Sequence, residues 1–210
     1  MTRICLVRHG ETDWNAARRI QGSRDIDLNE GGRRQALCAA RSLVGKGITA
    51  LYSSDLMRAW NTASAIGRAL GLTPRPAPQM RERNYGVFEG LTYEEASVRY
   101  PVAYERHRAR DPEFDYETGE TLKTMYQRVS GKLETLAKIH GGETIAVVVH
   151  GGVLDIIHRH VRQASLETRR DFEIPNAGLN WLAHDGSSWC IEAWAETDHL
   201  KVEALDELPT

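Results

Sequence analysis

The sequence predicts an α/β fold of three layers, α/β/α, in which a mostly parallel central sheet carries helices on both faces and an inserted helical cap covers one edge. Two observations predict it. Residues 4–7 ("ICLV") and 144–149 ("TIAVVV"), with a weaker run at 50–53, have the short apolar pattern of strands covered on both faces. Each run is followed by a turn and then by apolar residues at helical spacing, and strand, turn, helix is the grammar of a parallel sheet.

The first strand runs directly into Arg8, His9 and Gly10. Asn29 is placed to cap a helix whose Leu37, Ala40 and Val44 recur at a spacing that puts them on one covered face. After the strand at 50–53, Ser54 precedes a helix over 55–70 with Asp55 at its positive end. Residues 84–120 are polar and too many for a simple connection, which predicts a cap with short helical pieces. Within it Thr92 and Glu95 have the form of a capping box. Leu122, Met125, Val129, Leu133 and Leu136 stripe one face of a helix over 121–140, ended by Gly141 and Gly142. The last pattern is a hairpin, 179–183 and 189–195, turning at Asp185 and Gly186; beyond 196 no pattern is legible. The 210 residues are expected to form a single domain, with the cap as an insertion at about 84–120.

With 41% hydrophobic and 27% charged residues and a formal net charge of −2, the composition is that of an ordinary globule and gives no electrostatic case for nucleic acid. Any anion must be handled locally. Cys5, Cys38 and Cys190 are odd in number and hold no CxxC pair, which suits free thiols in a reducing compartment, so a cytoplasmic location is expected. No run approaches the roughly 20 apolar residues of a membrane span, and no membrane partner is expected. The oligomeric state is left open; a homodimer would form through the final hairpin or the tail after Glu196.

Ligands of an open parallel sheet bind outside the carboxyl ends of its strands. Here those ends carry Arg8, His9 and Gly10, then Arg58 in the first turn after the second strand, then His150, Gly151 and Gly152. Two arginines supply forked donors that match phosphate oxygens, and the amides of Gly10 and Gly151 can approach an anion because no side chain intervenes. A neutral imidazole beside such a pocket can attack phosphorus, while a second, held cationic by the bound anion, neutralises charge on the group in transfer. Glu82, flanked by Arg81 and Arg83 in a loop, is the candidate acid for the leaving oxygen, with Glu89 as its competitor.

The stretches "LVRHGETDWN", "GSRDIDLNEGGRRQA", "YSSDLMRAWNTA", "RERNYGVFEGL" and "VVVHGG" resemble, in order, the successive motifs of the histidine phosphatase superfamily, also called phosphoglycerate mutase-like. They cover most of residues 4–92 and then 145–152. The resemblance implies that His9 is the nucleophile and becomes phosphohistidine, that Arg8, Arg58 and His150 bind the phosphoryl group, and that Glu82 is acid and base. It also implies that Asn15, Gln21, Gly22 and Gly151 line the same pocket, that Tyr85 lies on the substrate side, and that Thr12 orders the loop. Its chemistry needs no metal and acts on a small-molecule phosphate monoester.

The family hydrolyses phosphate esters or isomerises phosphoglycerate. Against the mutases, this chain has Tyr93 where they carry a substrate-holding lysine, has Gly152 where they carry asparagine, and lacks a proline-rich cap segment with paired arginines. The expected activity is therefore that of a metal-independent phosphomonoesterase without a cofactor. The alternative is a phosphoglycerate mutase, for which 2,3-bisphosphoglycerate would be the cofactor. A non-catalytic module of the same fold is disfavoured because Arg8, His9, Arg58, Glu82 and His150 are all present.

Other features receive plainer readings. His158 and His160, two apart on a helix, point to different sides and make no metal pair. His107, His140, His184 and His199 are given no role. Arg106, Arg108 and Arg110 of the cap lie in a mixed charge run that reads as a solvated face; the alternative is that one of them reaches a second anionic group of the substrate.

Overall fold

The computed structural model describes residues 1–201. Its sheet has strands β1 (Thr2–Arg8), β2 (Ile48–Ser53), β3 (Arg75–Pro76), β4 (Thr144–Val149), β5 (Leu179–His184) and β6 (Trp189–Glu196), in the order β3-β2-β4-β1-β5-β6. The first four in that order run parallel, while β5 is antiparallel to β1 and β6 to β5. The helices are α1 (Asp13–Ala16), α2 (Glu30–Leu43), α3 (Met57–Leu70), α4 (Tyr93–Arg99), α5 (Pro101–Arg108), α6 (Leu122–Ile139) and α7 (Gly151–Arg162).

Alternation along the strands divides the core between two faces. Ile4 and Leu6 of β1 face the same side as Val147 and Val149 of β4, where Leu133 and Leu136 of α6 and Leu154 and Ile157 of α7 cover them. Cys5 and Val7 face the other side with Val148, under Leu43 of α2 and Ala63 and Ile66 of α3. The predicted three-layer arrangement is thus observed. Between β3 and α6 the chain builds a cap on a small aromatic core of its own, Phe88, Phe114 and Tyr116 with Ile20 and Ala96. Thr92 and Glu95 form the expected capping box at the start of α4.

The structure corrects three details. Helix α3 begins at Met57 with Leu56 as its cap residue, not at 55 behind Ser54. Asp55 instead pairs with Arg81 at 2.6 Å, and Ser54 is drawn into the site described below. On α2, Leu37 and Val44 are 45% and 57% exposed, and the covered face is Ala36, Ala39, Ala40 and Leu43. Small side chains let α2 pack closely against α3, so the larger apolar residues that suggested the stripe lie off it. Helix α1 and strand β3 were too short to show any periodicity; α1 is fixed by a capping box of Thr12 and Asn15.

Cys5, Cys38 and Cys190 form no disulfide among the described residues. Among the described residues no helix is long and apolar enough to cross a membrane. The tail proposed as a dimer surface lies, from residue 202 onward, outside the described residues.

Candidate active site

Beyond the end of β1, the His9 amide donates to Val149 O at 3.0 Å, so the parallel pairing of β1 with β4 fixes where the ring starts. The ring Nδ1 lies 2.6 Å from Gly10 O. A carbonyl only accepts, so Nδ1 carries the proton and Nε2 is bare, the tautomer a nucleophile needs. Burial, and then the charges of Arg58 and Arg8, push His9 well below the usual histidine range, which keeps the ring neutral.

His150 ends β4 and is the cap residue of α7. Its ring centroid lies 5.2 Å from that of His9, and its Nε2 meets Ser54 Oγ at 2.7 Å. Burial and the charge of Arg58 push it down as well, so it too is neutral beside unneutralised arginines. An anion bound here would offset the arginine charges and favour a proton on this ring.

Arg58 is 1% exposed and gives its two terminal nitrogens to Arg24 O and Gly22 O, both at 2.7 Å. Arg8 donates from Nη1 to Ile174 O. Burial lowers both guanidinium pKa values, that of Arg8 to about 10. Arg8 Nε, Arg58 Nε and His150 Nδ1 are buried without a hydrogen-bond partner. Buried polar groups left unpaired cost about 1–3 kcal/mol each, more where charged, and three gathered at one sheet rim mark the place an anion would repay.

Glu82 accepts from the Arg83 amide at 2.8 Å and from the Gly152 amide at 2.9 Å, in the first turn of α7 where the helix favours negative charge. Its competitor Glu89 is a structural clamp. That carboxylate accepts from the Ser23 and Tyr85 amides at 2.7 and 3.2 Å and pairs with Arg24. It presses on Gly22, whose φ of +55° and lack of a Cβ admit the approach.

A cavity of about 850 Å³ opens over this rim. Its walls include the predicted Arg8, His9, Arg58, Glu82 and Gly151, together with Asn15, Gln21, Gly22 and Tyr85. His150 is fully buried and stands beside His9 instead of on the wall. One expectation fails: the Gly10 amide donates to Thr62 Oγ1 at 3.1 Å and is not offered to a ligand. Thr12 does order the loop, its amide donating to Asn15 Oδ1 at 3.1 Å.

The cap arginines are committed elsewhere. Arg106 pairs with Asp111 at 2.7 Å, Arg108 with Glu105 at 3.2 Å and Arg110 with Asp155 at 2.6 Å. His158 stacks on Phe172 and His160 bonds Tyr126 and Glu134, so they form no metal pair. His140 does have an acidic neighbour, Glu143, at 3.0 Å. Sequence reasoning missed Ser54, His107, Arg169 and Arg170. Ser54 follows directly on β2 and so shares the rim logic that found His9, whereas the other three sit in segments without periodicity and are brought in by the chain's path.

Glycine at 152 has a direct consequence for Glu82. A Cβ there would stand 2.3 Å from Glu82 Oε1, the free end of a flexible side chain. Gly152→Ala is therefore expected to raise the melting temperature slightly, since alanine favours the helix by up to about 1 kcal/mol, while cutting phosphate release about tenfold or more by displacing the carboxylate. Thermal melts and steady-state assays on the same preparation check both halves.

His107 gives the cap a pH response. Burial, then the charges of Arg83 and Arg110, lower it from 6.5 to about 4, and Nδ1 lies 2.8 Å from Tyr116 Oη. Between those two values the unfolded chain takes up a proton that the folded chain refuses, so stability falls as pH drops from 6.5 towards 4. For this residue the loss between pH 7 and pH 5 is on the order of 1–2 kcal/mol. Melting curves at the two pH values should show the drop, and His107→Gln should flatten that part of it.

A mainly parallel sheet whose rim holds two neutral histidines, two unpaired guanidiniums and a carboxyl defines an enzyme of phosphoryl chemistry. Residues 4–197 match the histidine phosphatase superfamily (branch 1), and the chain belongs to that superfamily as a phosphoric monoester hydrolase. It is 39% identical over 205 residues to phosphoglycerate mutase-like protein 4 of Arabidopsis thaliana, covering 94% of this chain and 86% of that one. It is 38% identical over 205 residues to a metal-independent phosphoserine phosphatase of the same plant, covering 95% and 84%. A phosphoserine phosphatase variant from Entamoeba histolytica, solved with phosphoserine, superposes with a TM-score of 0.85 at 27% identity, over 95% of this chain and 100% of that one. Among the described residues no group of three or more His, Cys, Asp or Glu side chains is placed to hold a metal ion.

Proposed function

We propose that the chain hydrolyses a small phosphorylated metabolite by double displacement through a phosphohistidine on His9, without a metal. The carrying observation is the 2.6 Å contact from His9 Nδ1 to Gly10 O, which leaves Nε2 bare beside the unpaired nitrogens of Arg8, Arg58 and His150. The substrate phosphate binds these nitrogens and the free Gly151 amide at the start of α7. The His9 Nε2 lone pair forms a bond to phosphorus as the ester P–O bond breaks in line, and Glu82 gives its proton to the departing alkoxide. Water then attacks the phosphohistidine, Glu82 takes a proton from it, and the N–P bond breaks to return His9 and release phosphate. Glycine at 152 and Tyr93 at the cavity mouth support hydrolysis over mutation, because Glu82 fills the space that an asparagine side chain would need.

Substrates such as phosphoserine, which the plant and Entamoeba relatives are named for, are the first to try. Chemical quench with phosphorus-labelled substrate, chelator present, should trap an acid-labile, base-stable phosphoenzyme that maps to the peptide containing His9. Label on any other peptide, or turnover that stops with chelator, overturns the mechanism. The mutase relative motivates one control: 2,3-bisphosphoglycerate that primes isomerisation without accumulation of free phosphate would select that alternative.

A further inference from the structure

Six arginines outside the phosphate clamp line the cavity, and four are occupied. Arg19, Arg108 and Arg110 each pair with a carboxylate, and Arg83 donates to Glu120 O, Tyr116 Oη and Phe114 O. Arg169 and Arg170 have no ion pair and no hydrogen bond among the described residues. They are neighbours in sequence and share a cavity with Arg8 and Arg58, which also lack a carboxylate partner. Among the described residues, the only carboxylate on the wall not paired to an arginine is Glu82. The charge of Glu82 supports Arg8 and Arg58, and a phosphate dianion bound there leaves the exposed Arg169 and Arg170 without a counter-charge of their own.

The segment that carries the pair is held on both flanks. On its near side, Arg110 Nε donates to Leu166 O and Arg159 Nη1 to Ser165 O, both at 2.6 Å. Both guanidiniums also bond the same buried Asp155 Oδ2, at 2.6 and 3.1 Å, which ties this segment to α7 and to the cap. On its far side, Phe172 stacks on His158 with ring centroids 3.6 Å apart, and Ile174 O receives Arg8. Arg170 lines the same cavity as Arg8, and its charge opposes the protonation of that guanidinium.

We infer that Arg169 and Arg170 form a second anion subsite, so that the substrate is a phosphate monoester carrying another anionic group, a carboxylate or a second phosphate. The inference rests on the hydrolase reading for its chemistry, but the subsite can be measured by binding alone. It also relocates the second-anion contact from the cap arginines, which are paired, to the connection between α7 and β5.

The test is calorimetric titration of the His9→Ala chain with 3-phosphoglycerate and with glycerol 3-phosphate, which differ only in a carboxylate against a hydroxymethyl group. Arg169 and Arg170 are exposed, so the carboxylate should bind about fivefold tighter, the upper range of a solvent-exposed ion pair. Adding Arg169→Glu and Arg170→Glu should abolish that margin and tighten phosphoethanolamine, a gain that misfolding cannot produce. A parent chain that does not discriminate, or a margin that survives charge reversal within about twofold, overturns the subsite. Phosphate release by the unsubstituted chain is scored separately: its absence for both esters and for p-nitrophenyl phosphate sinks the hydrolase reading, while the titrations still decide the subsite.

Discussion

His9→Ala abolishes phosphate release, with kcat falling on the order of 10⁴ to 10⁶-fold, the range seen when a covalent nucleophile is removed. The size follows from the site. His150 does not replace His9, since its Nε2 is engaged with Ser54 and its ring stands off the cavity wall. The fold should survive, because alanine leaves the His9 amide bond to Val149 O in place. Binding should also survive, as Arg8, Arg58 and the Gly151 amide are untouched, so the variant is expected to hold substrate without turning it over. Its kcat, its affinity by calorimetry and its melting temperature check the three statements, and retained turnover would remove His9 from the mechanism. The pH profile of the parent chain adds a check: with His9 held well below the usual range, the acidic limb of kcat/KM should not show a histidine titrating near 6.5.

Glu82→Gln comes second, with a loss on the order of 10² to 10⁴-fold for alkyl phosphates, the contribution of a positioned general acid and base. Glutamine keeps the size of the side chain but has one acceptor oxygen, so it can accept from only one of the Arg83 and Gly152 amides that Glu82 takes on separate oxygens. The lost contact and the lost proton transfer are separated by the leaving group of the ester. An ester with a good leaving group, such as p-nitrophenyl phosphate, needs no proton on departure, so phosphorylation of His9 should be slowed far less for it. Hydrolysis of the phosphohistidine still needs a base, and the intermediate should accumulate in a burst visible by rapid quench. An equal loss for both substrates without accumulation would show that Glu82 only positions other groups.

Much of this was legible before any coordinates. The runs at 4–7 and 144–149 became β1 and β4, adjacent and parallel in the sheet, so Arg8, His9 and His150 had to meet. Asn29, Thr92 and Thr121 mark helix starts because a side-chain oxygen can accept an orphan amide whatever the rest of the chain does. The family resemblance chose Glu82 over Glu89, but the residues alone did not: both are carboxylates in one stretch, and only the path of residues 22–24 against Glu89 commits it to holding backbone. The apolar face of α2 was misread for a similar reason, since close approach to α3 favours alanines that carry little hydrophobic signal.

By itself, then, the sequence determined the strand-and-helix alternation and the rim on which two histidines and two arginines are set, because side-chain periodicity and strand-end positions are local properties. Tertiary structure alone decided which charges remain unpaired. Whether an arginine is a phosphate donor, a loop tie such as Arg83, or an open cation such as Arg170 depends on carboxylates and carbonyls brought from distant segments, and electrostatic energy is set by those distances and by burial, neither of which a one-dimensional pattern contains.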